Sequence, residues 1–328
     1  MIKEGKHYIK VMNIFKKIVA LSLCLIISFF TFINIRADSH VVYTASDSKV
    51  NYGPGSQLLG GAEIMLVNGQ TTSQMMSYVI TAKTGEVIVV DGGLPEDADH
   101  LREIIKKKGN RVSAWFITHP HSDHVGAIAK IINDGLGDMI IDGVYYNFLE
   151  DDWYIRNEAY RSQMVLDCKA AFEKLNPDTR HSQVKRGDVI SIGDIKVNVL
   201  NGPYLFGVNS INNSSIAYRF DIAGTRVLFL GDMGPEAGEQ LKNDVPAFEL
   251  KSDIVQMAHH GQYGVNEDVY KIINPIVCMW NAPEWLWDNN NGSGKGSGTY
   301  LTLQVREWMD KIGVKKHYVM KDGDQIIK

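Results

Sequence analysis

Three imidazoles and a carboxylate fall within six residues at His119-Pro120-His121-Ser122-Asp123-His124, between the apolar runs 113–117 and 125–132. The first run has the length and composition of a buried strand and the second reads as a helix. The motif therefore sits in a turn at the carboxyl end of a strand, where open α/β sheets keep their ligand crevice. Neutral imidazole and carboxylate are good donors for borderline divalent cations such as zinc. One histidine at such a turn is ordinarily bonded to backbone or water. Three with an aspartate at this spacing point to a metal site.

The arrangement recurs along the chain. The β-type run 86–90 ends in Asp91-Gly92-Gly93, 226–230 runs into Gly231-Asp232, and 253–258 runs into His259-His260-Gly261. Each alone is an ordinary turn, but jointly they bring chemistry to several strand ends. Further strands are expected at 64–67, 78–81, 139–146, 189–192, 195–200, 215–222 and 276–280, with a hairpin about Ala223-Gly224. Helices are expected at 97–108, over the period Tyr160, Met164, Cys168, Phe172 and Leu175, and over Leu301, Val305, Trp308, Met309 and Ile312, with Thr299 as cap. Strand-rich halves with interspersed helices suggest two sheets with helices outside them. The Asn/Gly/Ser stretch 289–298 reads as a mobile loop.

His119-x-His121-x-Asp123-His124-x-Gly126, with Asp91-Gly92-Gly93 before it and Gly231-Asp232 and His259-His260-Gly261 after it, resembles the metallo-β-lactamase-fold hydrolase superfamily over residues 63–328. The resemblance implies an α/β (α+β) fold, an αββα four-layer sandwich with one or two divalent metal ions at one edge of its sheets. Zn2+ is the first expectation and Mn2+ the alternative. By the same resemblance His119 and His121 hold the first ion, Asp123, His124 and His259 the second, and Asp232 bridges them. Asp91 would orient a ligand or the bound water. Asp123 and His260 are the residues expected closest to the chemistry. His260 is read two ways, as a partner of a substrate oxygen or leaving group and as a structural hydrogen bond.

Asn212-Asn213-Ser214-Ser215 ahead of the Gly-Asp strand is most similar to the lactamase-like domain of bacterial DNA-uptake competence channel proteins, and the site also resembles secreted phosphorylcholine esterases. Asn212, Asn213 and Ser215 would then stand behind the ligands. Many superfamily members carry a third His for the first metal before that strand, yet no His occurs between His181 and His259. This departure argues against β-lactam and thioester hydrolysis. Gln262 stands where the competence-type subgroup carries Ser. Trp285 and Trp287 beside the 289–298 loop could cage a quaternary ammonium such as choline; the ordinary reading is that they anchor the core or the loop.

Lys16-Lys17 precede an uncharged run over 18–35, followed by Arg36-Ala37-Asp38. Residues 1–37 read as a signal peptide, or as an N-terminal membrane anchor if uncleaved, with Met1 or Met12 as the start; either form exports the rest of the chain. Residues 38–62 read as a linker and 63–328 as the catalytic domain. Six of the 34 Lys and Arg and one of the 38 Asp and Glu lie in 1–37, leaving a body of formal charge −9. Such a body would not attract a long polyanion without a local basic face, which disfavours nucleic acid as partner. Cys168 and Cys278 are expected as buried free thiols. The reading is an exported or surface-anchored metal-dependent hydrolase that cleaves a phosphodiester or related phosphate ester with a metal-activated water. Its alternatives are a lactone or amide hydrolase, a surface DNA nuclease, and a non-catalytic cell-wall binding protein.

Overall fold

The computed structural model describes residues 57–328. The expected signal peptide or anchor and most of the 38–62 lead-in lie outside the described residues. Leu59 and Ala62 are buried, and the Leu58 amide donates to the Lys328 carbonyl, so the folded body takes in the end of that lead-in.

The strands in chain order are β1 (Glu63–Leu66), β2 (Ser77–Thr81), β3 (Val87–Asp91), β4 (Arg111–Val112), β5 (Ala114–Phe116), β6 (Ile140–Ile141), β7 (Val144–Tyr145) and β8 (Arg180–His181). The second half adds β9 (Val189–Ile192), β10 (Ile195–Val199), β11 (Tyr218–Ile222), β12 (Thr225–Phe229), β13 (Ile254–Gln256), β14 (Val277–Trp280), β15 (Lys316–Val319) and β16 (Gln325–Ile327). Two seven-stranded sheets form, ordered β16-β1-β2-β3-β5-β7-β8 and β15-β14-β13-β12-β11-β10-β9. The run expected as one strand over 139–146 divides. β6 pairs with β4 in a small separate sheet, while β7 joins the first large one.

Each large sheet changes style midway. β1, β2 and β3 are antiparallel, and β3, β5, β7 and β8 run parallel. β9 to β12 are antiparallel, and β12 to β15 run parallel. The expected hairpin joins β11 to β12 through Ala223 (φ 49°) and Gly224 (φ 89°), the left-handed pair that matches strand twist in a two-residue turn.

Alternation along the strands makes the layers. Val227 and Phe229 face the core between the sheets, while Leu228 faces the helices outside. Ile254 and Val255 divide in the same way, as do Met279 and Cys278. Across the inner core Tyr78 meets Phe229 edge-on at 5.0 Å, and Phe116 meets Phe220 at 5.5 Å. Helices Ala98–Lys107, Ser122–Asn133 and Ala159–Phe172 bury apolar faces in the core of the first sheet. Helices Pro235–Asp244, Glu267–Ile273 and Thr302–Ile312 cover the second. This is the αββα sandwich.

Two local expectations change. Tyr160 is 79% exposed, because a four-residue spacing drifts about 40° per step from a 3.6-residue turn, so the buried face of its helix is Val165, Cys168, Ala171 and Phe172. The C-terminal helix begins at Thr302, with Leu301 rather than Thr299 at its cap position. The 289–298 loop is laced by its own amides: Asn289 Nδ2 donates to the Gly298 and Tyr300 carbonyls, and Asn290 Oδ1 accepts from Gly292 and Gly294. Cys168 and Cys278 are free and buried. Among the described residues no helix is long and apolar enough to cross a membrane.

Candidate metal centre

The polar motifs meet because parallel strands point their carboxyl ends the same way. β3 delivers Asp91 and β5 leads into His119 and His121. β12 delivers Asp232, and β13 leads into His259 and His260. Asp123 and His124 lie in the first turn of helix Ser122–Asn133, so the positive end of that helix faces the group. Gly231 makes the turn at φ 57°, where a side-chain Cβ would come within 2.8 Å of Thr118 Cβ.

Asp123, His124, Asp232 and His260 each offer a donor atom within 4.8 Å of the others, and His119, His121 and Asp232 form a second such set. Asp232 belongs to both. Its Oδ2 lies 3.3 Å from His124 Nε2, 3.2 Å from His260 Nε2 and 4.0 Å from His119 Nε2. His260 Nε2 is 3.2 Å from Asp123 Oδ2, and His119 Nε2 is 3.2 Å from His121 Nδ1.

The other ring nitrogens are held from behind. Asp91 Oδ2 lies 2.7 Å from His124 Nδ1 and accepts from Thr118 Oγ1 at 2.7 Å, while Asp91 Oδ1 accepts the Thr118 amide at 2.8 Å. Thr118 Oγ1 in turn lies 3.0 Å from His119 Nδ1. His260 Nδ1 faces the Asn281 carbonyl at 3.1 Å, and His259 Nδ1 faces that of Tyr263 at 3.1 Å. An acceptor behind a ring nitrogen puts the hydrogen there and leaves the forward nitrogen's lone pair for an ion.

The structure sets His260, rather than His259, in one donor group with Asp123, His124 and Asp232. His259 and His260 both adopt left-handed backbone, at φ 51° and 56°, followed by Gly261 at φ 80°. This turn sends the His260 side chain fully inward and leaves that of His259 19% exposed at the rim. His259 Nε2 is 3.9 Å from Asp232 Oδ2 and 3.3 Å from Asn212 Nδ2.

The residues expected behind the ligands separate too. Asn212 touches the centre through His259, and Ser215 Oγ accepts the Asp232 amide at 3.1 Å. Asn213 serves the fold. Its Oδ1 accepts from the Gly234 and Ala237 amides and caps helix Pro235–Asp244. Trp287 is no open cage wall, since its ring meets Trp280 edge-on at 5.2 Å and carries the Arg306 guanidinium at 3.9 Å. Trp285 is pinned by its indole N–H to the Thr72 carbonyl and lies 5.9 Å from Tyr300. Sequence pattern gives no role to Thr118 or Glu158. Glu158, buried, lies 3.7 Å from His121 Nε2 at the cap position before helix Ala159–Phe172, far in sequence from every motif.

The charges are matched to a cation. Burial opposes ionisation of Asp232, yet His260 and His124 hold its carboxyl well below the usual range. Burial likewise opposes charge on His260 and His124, but Asp232 and the neighbouring carboxylates prevail, raising His260 to about 9 and His124 well above its ordinary value. His119 is pushed well down by burial and by His124. Without an ion, protons on His124 and His260 would offset the carboxylates, and a divalent ion would do the same with those rings as neutral ligands. Asp232 Oδ1 is buried without a hydrogen-bond partner. Such an atom calls for an explanation, and a cation between the donors supplies it.

Residues 71–271 match the metallo-β-lactamase superfamily. The chain belongs to that superfamily. It is 34% identical over 174 residues to ComE operon protein 3 of Bacillus subtilis (strain 168), covering 52% of this chain and 20% of that protein. It is 29% identical over 127 residues to a protein of Aquifex aeolicus (strain VF5), covering 39% of this chain and 53% of that one. These matches span a fifth and about half of the relatives' lengths. Among solved structures, the metallo-β-lactamase fold protein YhfI of Bacillus subtilis superposes with a TM-score of 0.50 at 10% identity, covering 81% of this chain and 98% of that one, a likeness of fold. The superfamily resemblance and the competence-type likeness read from the motifs both agree with these matches.

Proposed function

We propose that the protein is an exported, metal-dependent hydrolase that cleaves a phosphodiester or related phosphate ester. One observation carries the reading: two donor sets share Asp232 at one sheet edge, with Asp91 and backbone carbonyls turning the ring nitrogens forward. His119, His121 and Asp232 would hold one divalent ion, and Asp123, His124, Asp232 and His260 the other, with Zn2+ favoured by the imidazole-rich donors. Bound ions supply the chemistry, lowering the pKa of a bound water toward about 7 and drawing charge from a phosphoryl oxygen.

The chain's own residues do the positioning. Asp91 holds His124 and, through Thr118, His119; Asn281 holds His260; Ser215 fixes the Asp232 backbone. An ester carrying negative charge suits a centre made for cations, which supports phosphate esters over lactones and amides. The −9 body supports small or wall-borne esters over DNA. Lys16-Lys17 ahead of the uncharged 18–35 run supports export.

The test is hydrolysis of bis(4-nitrophenyl) phosphate by purified protein with added Zn2+ or Mn2+. Metal-dependent turnover supports the reading. No turnover by protein of confirmed metal content removes it.

A further inference from the structure

Arg161 brings a guanidinium to the edge of the centre. Its Nη1 lies 3.2 Å from His121 Nε2 and 3.1 Å from Glu158 Oε1, and its side chain is 43% exposed. The guanidinium carbon lies 5.1 Å from the centroid of the Tyr160 ring, itself open to solvent. Glu158 by contrast is fixed. Its Oε2 accepts from Ser210 Oγ at 2.9 Å and from the Ile211 amide at 3.0 Å, while its Oε1 accepts from Tyr160 Oη at 3.2 Å and lies 3.7 Å from His121 Nε2.

The His121 ring turns Nδ1 toward His119 and Nε2 toward Arg161 and Glu158. A neutral imidazole carries one hydrogen, so when the Nδ1 lone pair goes to an ion the hydrogen sits on Nε2. A guanidinium has only donors. Arg161 Nη1 and His121 Nε2–H would then be two donors face to face, while Glu158 Oε1 beside them is the acceptor the ring needs. Glu158 is tied at both oxygens, so Arg161 is the group that yields, with solvent to move in and an aromatic face to slide over. A planar guanidinium released there has the geometry to take two phosphate oxygens at once.

We propose that Arg161 is a specificity-determining residue that binds the phosphate of the ester seated at the metal centre. The inference rests on the phosphate-ester reading and adds to it how charge, rather than a carbonyl, is selected.

The test uses the full chain loaded with metal and compares wild type with Arg161→Gln and Arg161→Lys. Binding of inorganic phosphate is measured by calorimetry, metal content by elemental analysis, and KM and kcat with bis(4-nitrophenyl) phosphate. Loss of a charge-assisted hydrogen bond at a half-exposed site predicts about a tenfold loss of phosphate affinity and about a tenfold rise in KM for Arg161→Gln. Metal content and kcat should hold, and Lys should recover part of the loss. Unchanged phosphate affinity in Arg161→Gln overturns the inference, as does wild type that binds no phosphate. Loss of metal from the variant also overturns it, because the arginine would then serve His121. If wild type turns over no diester while phosphate affinity still falls in Arg161→Gln, the ester reading fails and the anion site stands.

Discussion

Replacing Asp91 by Asn changes one atom and reverses the two hydrogen bonds made there, with Thr118 Oγ1 and His124 Nδ1. The carboxylate accepts three times, from the Thr118 amide, from Thr118 Oγ1 and at His124 Nδ1. An amide oxygen keeps the Thr118 amide satisfied, and Asn tolerates the left-handed φ of 54° at least as well as Asp. The amide nitrogen then faces His124 Nδ1. Turning the amide over only moves the donor–donor conflict to Thr118. To accept from the introduced N–H, His124 must move its hydrogen to Nε2, the nitrogen 3.3 Å from Asp232 Oδ2 that an ion would use. A hydrogen bond involving a charged partner contributes about 1.5–3 kcal/mol. Loss of a residue behind a metal ligand typically costs about 10–100-fold in affinity, or about 1.4–2.7 kcal/mol. The two estimates agree. Competition titration with a chromogenic zinc chelator should show that loss for one ion in Asp91→Asn, with circular dichroism unchanged. A folded variant binding both ions as tightly as wild type would refute the reasoning.

Other outcomes depend on single contacts. Asn213→Ala removes the acceptor for two buried amides at the start of helix Pro235–Asp244, so denaturant unfolding should show a loss of about 1–3 kcal/mol, with metal affinity unchanged. In a Cys24→Ser background, Cys168 and Cys278, whose thiols burial pushes up, should resist Ellman's reagent at pH 8 until denaturant is added; prompt labelling of the native protein would contradict their placement. His260 has its pKa raised from 6.5 to about 9, so in the metal-free protein its proton contributes stability fully below 6.5 and loses it as pH rises through about 9. Ions compete with that proton. Apparent Mn2+ affinity should therefore climb between those values, and calorimetry in buffers of different ionisation heat should register proton release at pH 7; affinity flat across that range would contradict the coupling.

How much the sequence disclosed depended on whether a residue's neighbours in the chain decide its place. His119, His121, Asp123 and His124 share one turn, and Asp91 and Asp232 each end an apolar run, so local pattern located them at strand ends and the parallel strands did the rest. His259 and His260 defeat that logic, since two identical neighbours are told apart only by the left-handed turn that sends one inward. Asn212 and Asn213 divide for a similar reason, one reaching His259 and the other a helix start. Glu158 and Arg161 carry no local signal, because the helix they begin is set against His121 by tertiary packing. β15 and β16 escaped notice as short, half-buried strands without an apolar run, although β16 extends the first sheet beyond β1. Trp287 packs against Arg306 and Trp280, in keeping with the ordinary reading of such a residue as an anchor, but its partners are distant in sequence and could not be named from it.

The central claim is that donors from separate strand ends hold two ions on a shared Asp232. Crystals of the protein grown with zinc, with anomalous scattering recorded on either side of the zinc edge, address it directly. The account predicts one peak among Asp123, His124, Asp232 and His260, and a second beside His119, His121 and Asp232. Zinc found only elsewhere on the molecule, with these side chains ordered and unliganded, would contradict it.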